Sequence, residues 1–343
     1  MENYNTAERH QYLMTKQPKP GSKVRTVIRW TLWVLLVQFV LLNISAALYA
    51  YKFTHLYSHE QRIADSKKNY SQNIFAKTWR LFKGPRFYRS PEIETPTFPY
   101  STIILKTRDS LAIEAWYGKT DSAAKGTVIL FHGLSGNKST LLQQAYEFRY
   151  WNYNVMIVDI RAHGKSEGSA TTIGFKESED VKLAYDHITQ QGEKNIYLWG
   201  GSMGATTIIK AVAEYDLHPK GLMLEMPFGS LHSHIKARIK SMGFPKQPFA
   251  FLTTFWAGVE NGFNGFGFNT VEYAKKIKCP VLLQYGLLDA LVTQEETNDI
   301  YNAIASQDKK LVIYEETGHR LFLKTDKLRW RQEVEDFLMR TTQ

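Results

Sequence analysis

Ser202 lies in the run Gly200-Gly201-Ser202-Met203-Gly204, after the apolar stretch Asn195–Trp199 and before the helix-forming stretch Ala205–Ala213. A serine hydroxyl becomes a nucleophile toward an acyl carbon when a neighbouring base takes its proton. Strand, Gly-x-Ser-x-Gly, helix is the context that holds such a serine on a sharp turn, with Oγ lifted clear of a sheet. Glycines belong there because the turn is strained and flanking side chains would collide. The amides of the first helical turn, at the positive end of the helix dipole, then face an oxyanion forming beside the serine. Alone, the motif also describes a glycine-rich turn with an incidental serine. What surrounds it decides.

From Tyr100 the chain alternates short apolar runs with amphipathic stretches, the pattern of an α/β fold with a mostly parallel sheet. Ser101–Lys106 and Leu111–Tyr117 read as an opening hairpin, and Thr127–Phe131 as a buried strand. Ser139–Trp151 reads as a helix, Tyr153–Asp159 as a strand and Glu177–Gln190 as a helix. Gly221–Glu225, Pro280–Tyr285 and Lys310–Tyr314 are further strands, and Lys324–Met339 is a closing helix.

The order His132-Gly133, Asp159-Ile-Arg-Ala-His-Gly-Lys-Ser-Glu-Gly168, Gly200–Gly204, Asp289 and Gly318-His319 resembles the α/β-hydrolase superfamily. The resemblance covers essentially residues 100–343, and within the superfamily it is to the serine aminopeptidase-like and monoacylglycerol lipase-like branch of esterases. It implies helices on both faces of the sheet, a cap insertion at about 226–270, and a catalytic triad of Ser202, Asp289 and His319. His319 would serve as general base, and Asp289 would hold its tautomer and stabilise the imidazolium. The plainer readings are a surface-loop histidine and a turn-capping aspartate; Glu315 and Glu316, on the histidine loop itself, are the rival acids. The backbone N–H groups of Leu134 and Met203 would form the oxyanion hole. His132 is implied to be structural, and His163 lies in a turn organised by Asp159, Arg161 and Ser166. The chain departs from the family at Ala162, where glycine is more usual. The cap is rich in rings: Phe228, Phe244, Phe249, Phe251, Phe255, Trp256, Phe263, Phe266 and Phe268. These suit an apolar acyl pocket under a lid, or simply a small core of the cap's own.

The elements before residue 100 place this domain. Residues 1–99 hold 15 Lys/Arg against 6 Asp/Glu, while residues 100–343 hold 28 against 27, so the basic excess is not on the domain. That argues against a nucleic-acid face and for charge beside a membrane. Trp30–Tyr51 runs 22 residues without a charge, and about 20 suffice to cross the hydrocarbon core. Trp30, Trp33, Tyr49 and Tyr51 suit the two interfaces. Lys16, Lys19, Lys23, Arg25 and Arg29 precede the run, and only Lys52 and Arg62 follow closely. A cytoplasmic basic tail (1–29), a single transmembrane helix (30–51) and a domain on the non-cytoplasmic side follow from this imbalance, the periplasm if the source is bacterial. A signal peptide cleaved near Ser45-Ala-Ala47 is the competing reading; the long polar lead speaks against it. Residues 52–99 read as a juxtamembrane segment with a helix around Ile74–Phe82, lying on the domain or on the membrane, and then an extended linker from Ser90 to Pro99.

No metal-ligand spacing stands out; His232-Ser-His234 lacks acidic or cysteine companions and reads as solvated or lid-packing. No phosphate-cradling glycine loop opens the fold, and Cys279 is a single cysteine. The reading is therefore a membrane-anchored serine hydrolase that needs no cofactor, takes a small-molecule or lipid ester of an apolar acyl group, and proceeds through acyl-Ser202. Amide or peptide cleavage by the same residues is the second enzymatic reading, with Glu260 as the cap's one obvious anchor for an amine. A binding protein that keeps the fold without activity is the third.

Overall fold

The computed structural model describes residues 22–67, 73–243 and 246–342. The chain divides into two units, residues 1–45 and Ala46–Gln343. One helix, α1 (Ser22–Thr54), contributes to both. In the first unit most of its side chains are exposed, Val24, Trp30, Trp33, Leu36 and Phe39 among them. It is long and apolar enough to cross a membrane.

In the second unit α1 behaves differently. Ala46, Tyr49, Ala50 and Phe53 are buried in the core. Their three- and four-residue spacing makes one helical stripe, small residues alternating with rings. Tyr49, read from sequence as an interfacial ring, instead meets Phe249 edge-on at 5.6 Å and donates its hydroxyl to Met242 Sδ at 3.2 Å. Tyr51 is exposed and stacks on His55 at 4.0 Å. The cause of the difference is that lipid and a protein core select the same uncharged residues.

Two short helices follow, α2 (His59–Ser66), closed by a Ser58/Gln61 capping box, and α3 (Ile74–Lys83). Ile74, Phe75 and Trp79 of α3 are exposed, so the domain does not cover that face.

The sheet holds β1 (Ser101–Lys106), β2 (Ala112–Gly118), β3 (Thr127–Phe131), β4 (Asn154–Val158), β5 (Ile196–Gly201), β6 (Gly221–Glu225), β7 (Val281–Gly286) and β8 (Lys309–Tyr314). Their spatial order is β1-β2-β4-β3-β5-β6-β7-β8. β1 and β2 pair antiparallel, as do β2 and β4; every later pairing is parallel. The central strands are buried along their whole length, as parallel strands covered on both faces must be.

On one face pack α5 (Ser178–Gln190), α6 (Met203–Tyr215) and α10 (Gln294–Ala303). On the other pack α4 (Leu142–Tyr150) and α12 (Lys327–Thr342), through Phe148, Trp330, Val334 and Phe337. Between β6 and β7 the alternation is broken by α7 (Leu231–Ser241), α8 (Phe249–Asn261) and α9 (Thr270–Ala274), which make up the cap region. α11 (Phe322–Thr325) is a short turn before α12.

Because the last turns of α1 fill the domain's own core, Phe53→Ala in the full chain should lower stability by about 3–5 kcal/mol, the range for emptying a large buried aromatic site. Val37→Ala, at an exposed position of the same helix, should change it little. Thermal unfolding of the detergent-solubilised protein checks this, and equal effects would contradict the division of the helix.

Candidate active site

Ser202 joins β5 directly to α6, with φ 52 and ψ −115. A left-handed backbone at a non-glycine residue is costly and persists only where neighbours impose it. Here Ser202 N donates to Glu225 O at 2.7 Å, and Thr206 N to Ser202 O at 3.0 Å. A side chain on Gly204 would meet Phe131 O at 2.3 Å, and one on Gly200 would meet Ala205 N at 2.7 Å. The glycines thus let the start of α6 press against the ends of β3 and β5.

Loops from the far side of the sheet complete a hydrogen-bonded chain. Ser202 Oγ lies 2.8 Å from His319 Nε2. His319 Nδ1 lies 2.7 Å from Asp289 Oδ2. Asp289 follows β7 and His319 follows β8, so neighbouring parallel strands deliver both to the carboxyl edge of the sheet. A carboxylate beside Nδ1 places the proton there and leaves Nε2 to accept from the serine hydroxyl. Asp289 Oδ1 accepts from the amides of Leu291 at 2.7 Å and Val292 at 2.9 Å. The carboxylate therefore caps its turn with one oxygen and orients the imidazole with the other. Its side chain is fully buried, whereas that of His319 is 19% exposed. Glu315 and Glu316 are exposed to solvent.

Beside Ser202 runs the loop that follows β3. A side chain on Gly133 would stand 3.5 Å from Ser202 Cβ, which brings the Gly133–Leu134 backbone to the serine. Met203, the first residue of α6, supplies the helix-start amide. His132 pins this loop: Nδ1 donates to Gly133 O at 2.8 Å, and Nε2 accepts from Ile160 N at 3.1 Å. Burial pushes its pKa down, so it stays neutral. His163 packs 5.0 Å from it, ring to ring, and its Nδ1 donates to Arg161 O at 2.9 Å within its own turn. Ala162 has φ 64, a left-handed conformation that suits the glycine more usual there.

Three features escaped sequence reasoning. Lys138 Nζ is fully buried among Glu92 at 2.7 Å, Glu114 at 3.0 Å and Asp159 at 2.5 Å. These acids come from the linker, β2 and the end of β4, and the ammonium already fills the space between them. His234, within the pair read as solvated or lid-packing, is fully buried, whereas His232 bonds Thr254 Oγ1 of α8 at 3.0 Å. The third is Glu225, a fully buried carboxyl that reads in sequence as a polar strand end. Oε2 accepts from Phe322 N at 3.1 Å and Oε1 from Trp330 Nε1 at 2.6 Å. The residue whose carbonyl holds Ser202 thus holds, by its side chain, the backbone just past His319.

The cap's rings divide. Phe228 and Phe268 are buried and meet edge-on at 6.0 Å; Phe263 stacks on Phe175 at 4.8 Å. Phe251, Phe255 and Phe266 are exposed. Phe244 lies outside the described residues.

A parallel sheet carrying a strained serine between β5 and α6, with helices on both faces and a cap after β6, defines an α/β hydrolase. Residues 122–256 and 257–326 match the family model described as "Serine aminopeptidase, S33", and the chain belongs to that family. Among curated relatives, the lysophosphatidylserine lipase ABHD12 of Xenopus tropicalis is 25% identical over 281 residues, 75% of this chain and 69% of that protein. The mouse protein of the same name is 24% identical, over 56% of this chain and 48% of its own length. Protein bem46 of Schizosaccharomyces pombe is 26% identical, over 64% of this chain and 71% of its own. Among solved structures, the Pyrococcus furiosus esterase Pf2001 superposes with a TM-score of 0.62 at 26% identity, covering 74% of this chain and 98% of that one.

Burial raises the Glu225 pKa to about 7, although the Phe322 amide and the Trp330 indole N–H pull it down. The unfolded chain titrates this group in the ordinary carboxylate range. Between the two values the folded chain binds the extra proton, so the stability this group contributes is fully present in acid and is lost as pH rises from about 4 to about 7, by on the order of 3 kcal/mol. Glu225→Gln should flatten that slope. Melting temperature against pH, wild type beside variant, measures it; parallel profiles would contradict the assignment.

Proposed function

We propose that this chain is a membrane-anchored serine hydrolase that cleaves carboxylic esters of apolar acyl groups through an acyl-Ser202 intermediate. The observation that carries the reading is the Ser202–His319–Asp289 chain, with contacts of 2.8 and 2.7 Å. His319 Nε2 takes the hydroxyl proton as Ser202 Oγ attacks the acyl carbon, and returns it to the departing alcohol oxygen. Asp289 keeps Nδ1 protonated and stabilises the imidazolium. The amides of Leu134 and Met203 bind the oxyanion. Water, activated by the same imidazole, then releases the acid and restores Ser202. Lipase and esterase relatives support ester chemistry. Cleavage of amides draws support from the family description alone: Glu260, the candidate amine anchor, is exposed on α8.

Ser202→Ala should lower hydrolysis of a p-nitrophenyl ester by at least about a thousandfold and abolish fluorophosphonate labelling. His319→Ala should do nearly the same, with the double variant scarcely worse, since these groups act as a unit. Wild-type activity in Ser202→Ala would end the serine reading, and a wild type that neither labels nor turns over esters would favour a binding protein.

The anchor is α1. Lys23, Arg25 and Arg29 lie at its start, and Lys16 and Lys19 lie outside the described residues. With the amino terminus held in the cytoplasm by these charges, residues after the span reach the other side. A carboxyl-terminal reporter active only outside the cytoplasm should be active, and carbonate should leave the protein in membranes. Export into the soluble fraction would mean cleavage near Ser45–Ala47, and a silent reporter would mean the opposite orientation.

A further inference from the structure

The loop after β3 is held from outside the hydrolase domain as well as from within it. Inside, Gly133 O accepts from His132 Nδ1 at 2.8 Å and from Gly136 N at 3.0 Å. Ser135 has φ 65, and a left-handed non-glycine residue persists only where neighbours impose it. The outside support is the linker. Ser90 N donates to Ser135 O at 2.9 Å, and Ser90 O accepts from Asn137 Nδ2 at 2.9 Å. Asn137 is fully buried, and its Oδ1 accepts from Thr140 N at 3.3 Å, capping the short helical turn Lys138–Leu141. Two residues further along the linker, Glu92 Oε2 meets Lys138 Nζ at 2.7 Å, and Ile93 N donates to Ser139 Oγ at 3.3 Å.

A trans peptide fixes its C=O and N–H in one plane, pointing opposite ways. The Ser135 carbonyl and the Gly136 amide share one such plane, and the Gly133 carbonyl and the Leu134 amide share another. Ser90 N–H holds the first plane by its oxygen, and the N–H of that plane holds the second by its oxygen. The remaining N–H of the second plane is that of Leu134, assigned above to the oxyanion. Hydrogen bonds in line polarise one another, so each link also strengthens the donor at the end. The linker is tied at its other end too. Arg89 N donates to Tyr57 O at 2.8 Å and Tyr57 N to Phe87 O at 2.9 Å, three residues beyond the end of α1. The segment that joins the anchor to the domain therefore grips the oxyanion loop directly.

We infer that Ser90 and Asn137 are positioning residues of the oxyanion hole, through which the linker sets the plane of the Leu134 amide; this rests on the serine-hydrolase reading above. The oxyanion exists only once Ser202 Oγ has bonded to the carbonyl carbon, the hydroxyl proton has passed to His319 Nε2 and the carbonyl π pair has moved onto oxygen. A misplaced Leu134 amide therefore slows turnover and leaves binding of the ester intact.

The full-length protein in detergent is assayed on p-nitrophenyl octanoate, with active sites counted by fluorophosphonate uptake so that unfolded molecules do not enter kcat. Ser90→Pro deletes the amide donor. Asn137→Ser draws the side chain back from Ser90 and keeps a residue type that caps well. Losing an oxyanion donor outright costs about 10²–10³ in kcat, so losing its support should cost roughly tenfold or more in Ser90→Pro and less in Asn137→Ser. KM should move by less than about twofold, as for an interaction made only in the transition state. A trifluoromethyl ketone of the same acyl length forms the tetrahedral oxyanion on Ser202, and its affinity should fall by the same factor as kcat/KM. The matching methyl ketone, which stays trigonal, should bind as before. Thr97→Val removes a 3.1 Å bond from the same linker to Tyr146 of α4 and should leave every value at wild type. Unchanged kcat in both Ser90→Pro and Asn137→Ser overturns the inference. Equal loss in Thr97→Val, or parallel weakening of both ketones, would mean general loosening and overturns it too. If Ser90→Pro does not fold, Asn137→Ser decides by the same measures. A wild type that takes up no fluorophosphonate and binds no trifluoromethyl ketone removes the parent reading together with this one.

Discussion

The left-handed backbone at Ser202 is the constraint on which the rest of this domain depends. A non-glycine residue in that region costs of order 1–3 kcal/mol, and it persists here because the sheet over-determines it. The Ser202 amide is bound to the Glu225 carbonyl of the adjacent strand, while glycines at 200 and 204 let the start of α6 close against β3 and β5. Were that packing to loosen, the turn would relax and the hydroxyl would leave the line toward His319. The fully buried strands β3, β5, β6 and β7 are therefore as much a part of the site's geometry as the loops that carry its side chains.

Those loops are separately anchored. Asp289 spends one oxygen on its own turn and the other on His319, so the aspartate cannot rotate without breaking the cap of its loop. Glu225 ties the serine turn, the backbone after His319 and the indole of Trp330 into one buried unit. His132 does the equivalent for the loop after β3. Rigid support of this kind is what a hydrogen-bonded chain assembled from three distant segments requires.

Buried cations are matched by acids drawn from several segments. Around Lys138 and Arg161 these carboxylates fasten the linker and the loop after β4 to the sheet edge. Ion pairs of this sort tie separate segments of the chain to one another.

The strand–helix order, the Gly-x-Ser-x-Gly turn, and the positions of Asp289 and His319 after their strands were legible because local patterns determine them: apolar runs of strand length, glycines at a close approach, polar residues at strand ends. Family membership follows from the same ordered motifs. What remained illegible depends on partners far away in the chain. Glu225 looks like any polar strand end until Phe322 and Trp330 fold over it, and Lys138 like a surface lysine until the linker brings Glu92 across. His234 could not be separated from His232, since packing against the distant rings of Phe53 and Phe228 buries it. The uncharged run from Trp30 to Tyr51 is written in the sequence, but where it stops being lipid-like and becomes core is not. Tertiary structure alone decided that Ala46, Tyr49, Ala50 and Phe53 lie inside the domain, because hydrocarbon and a protein interior exclude water alike and select the same side chains.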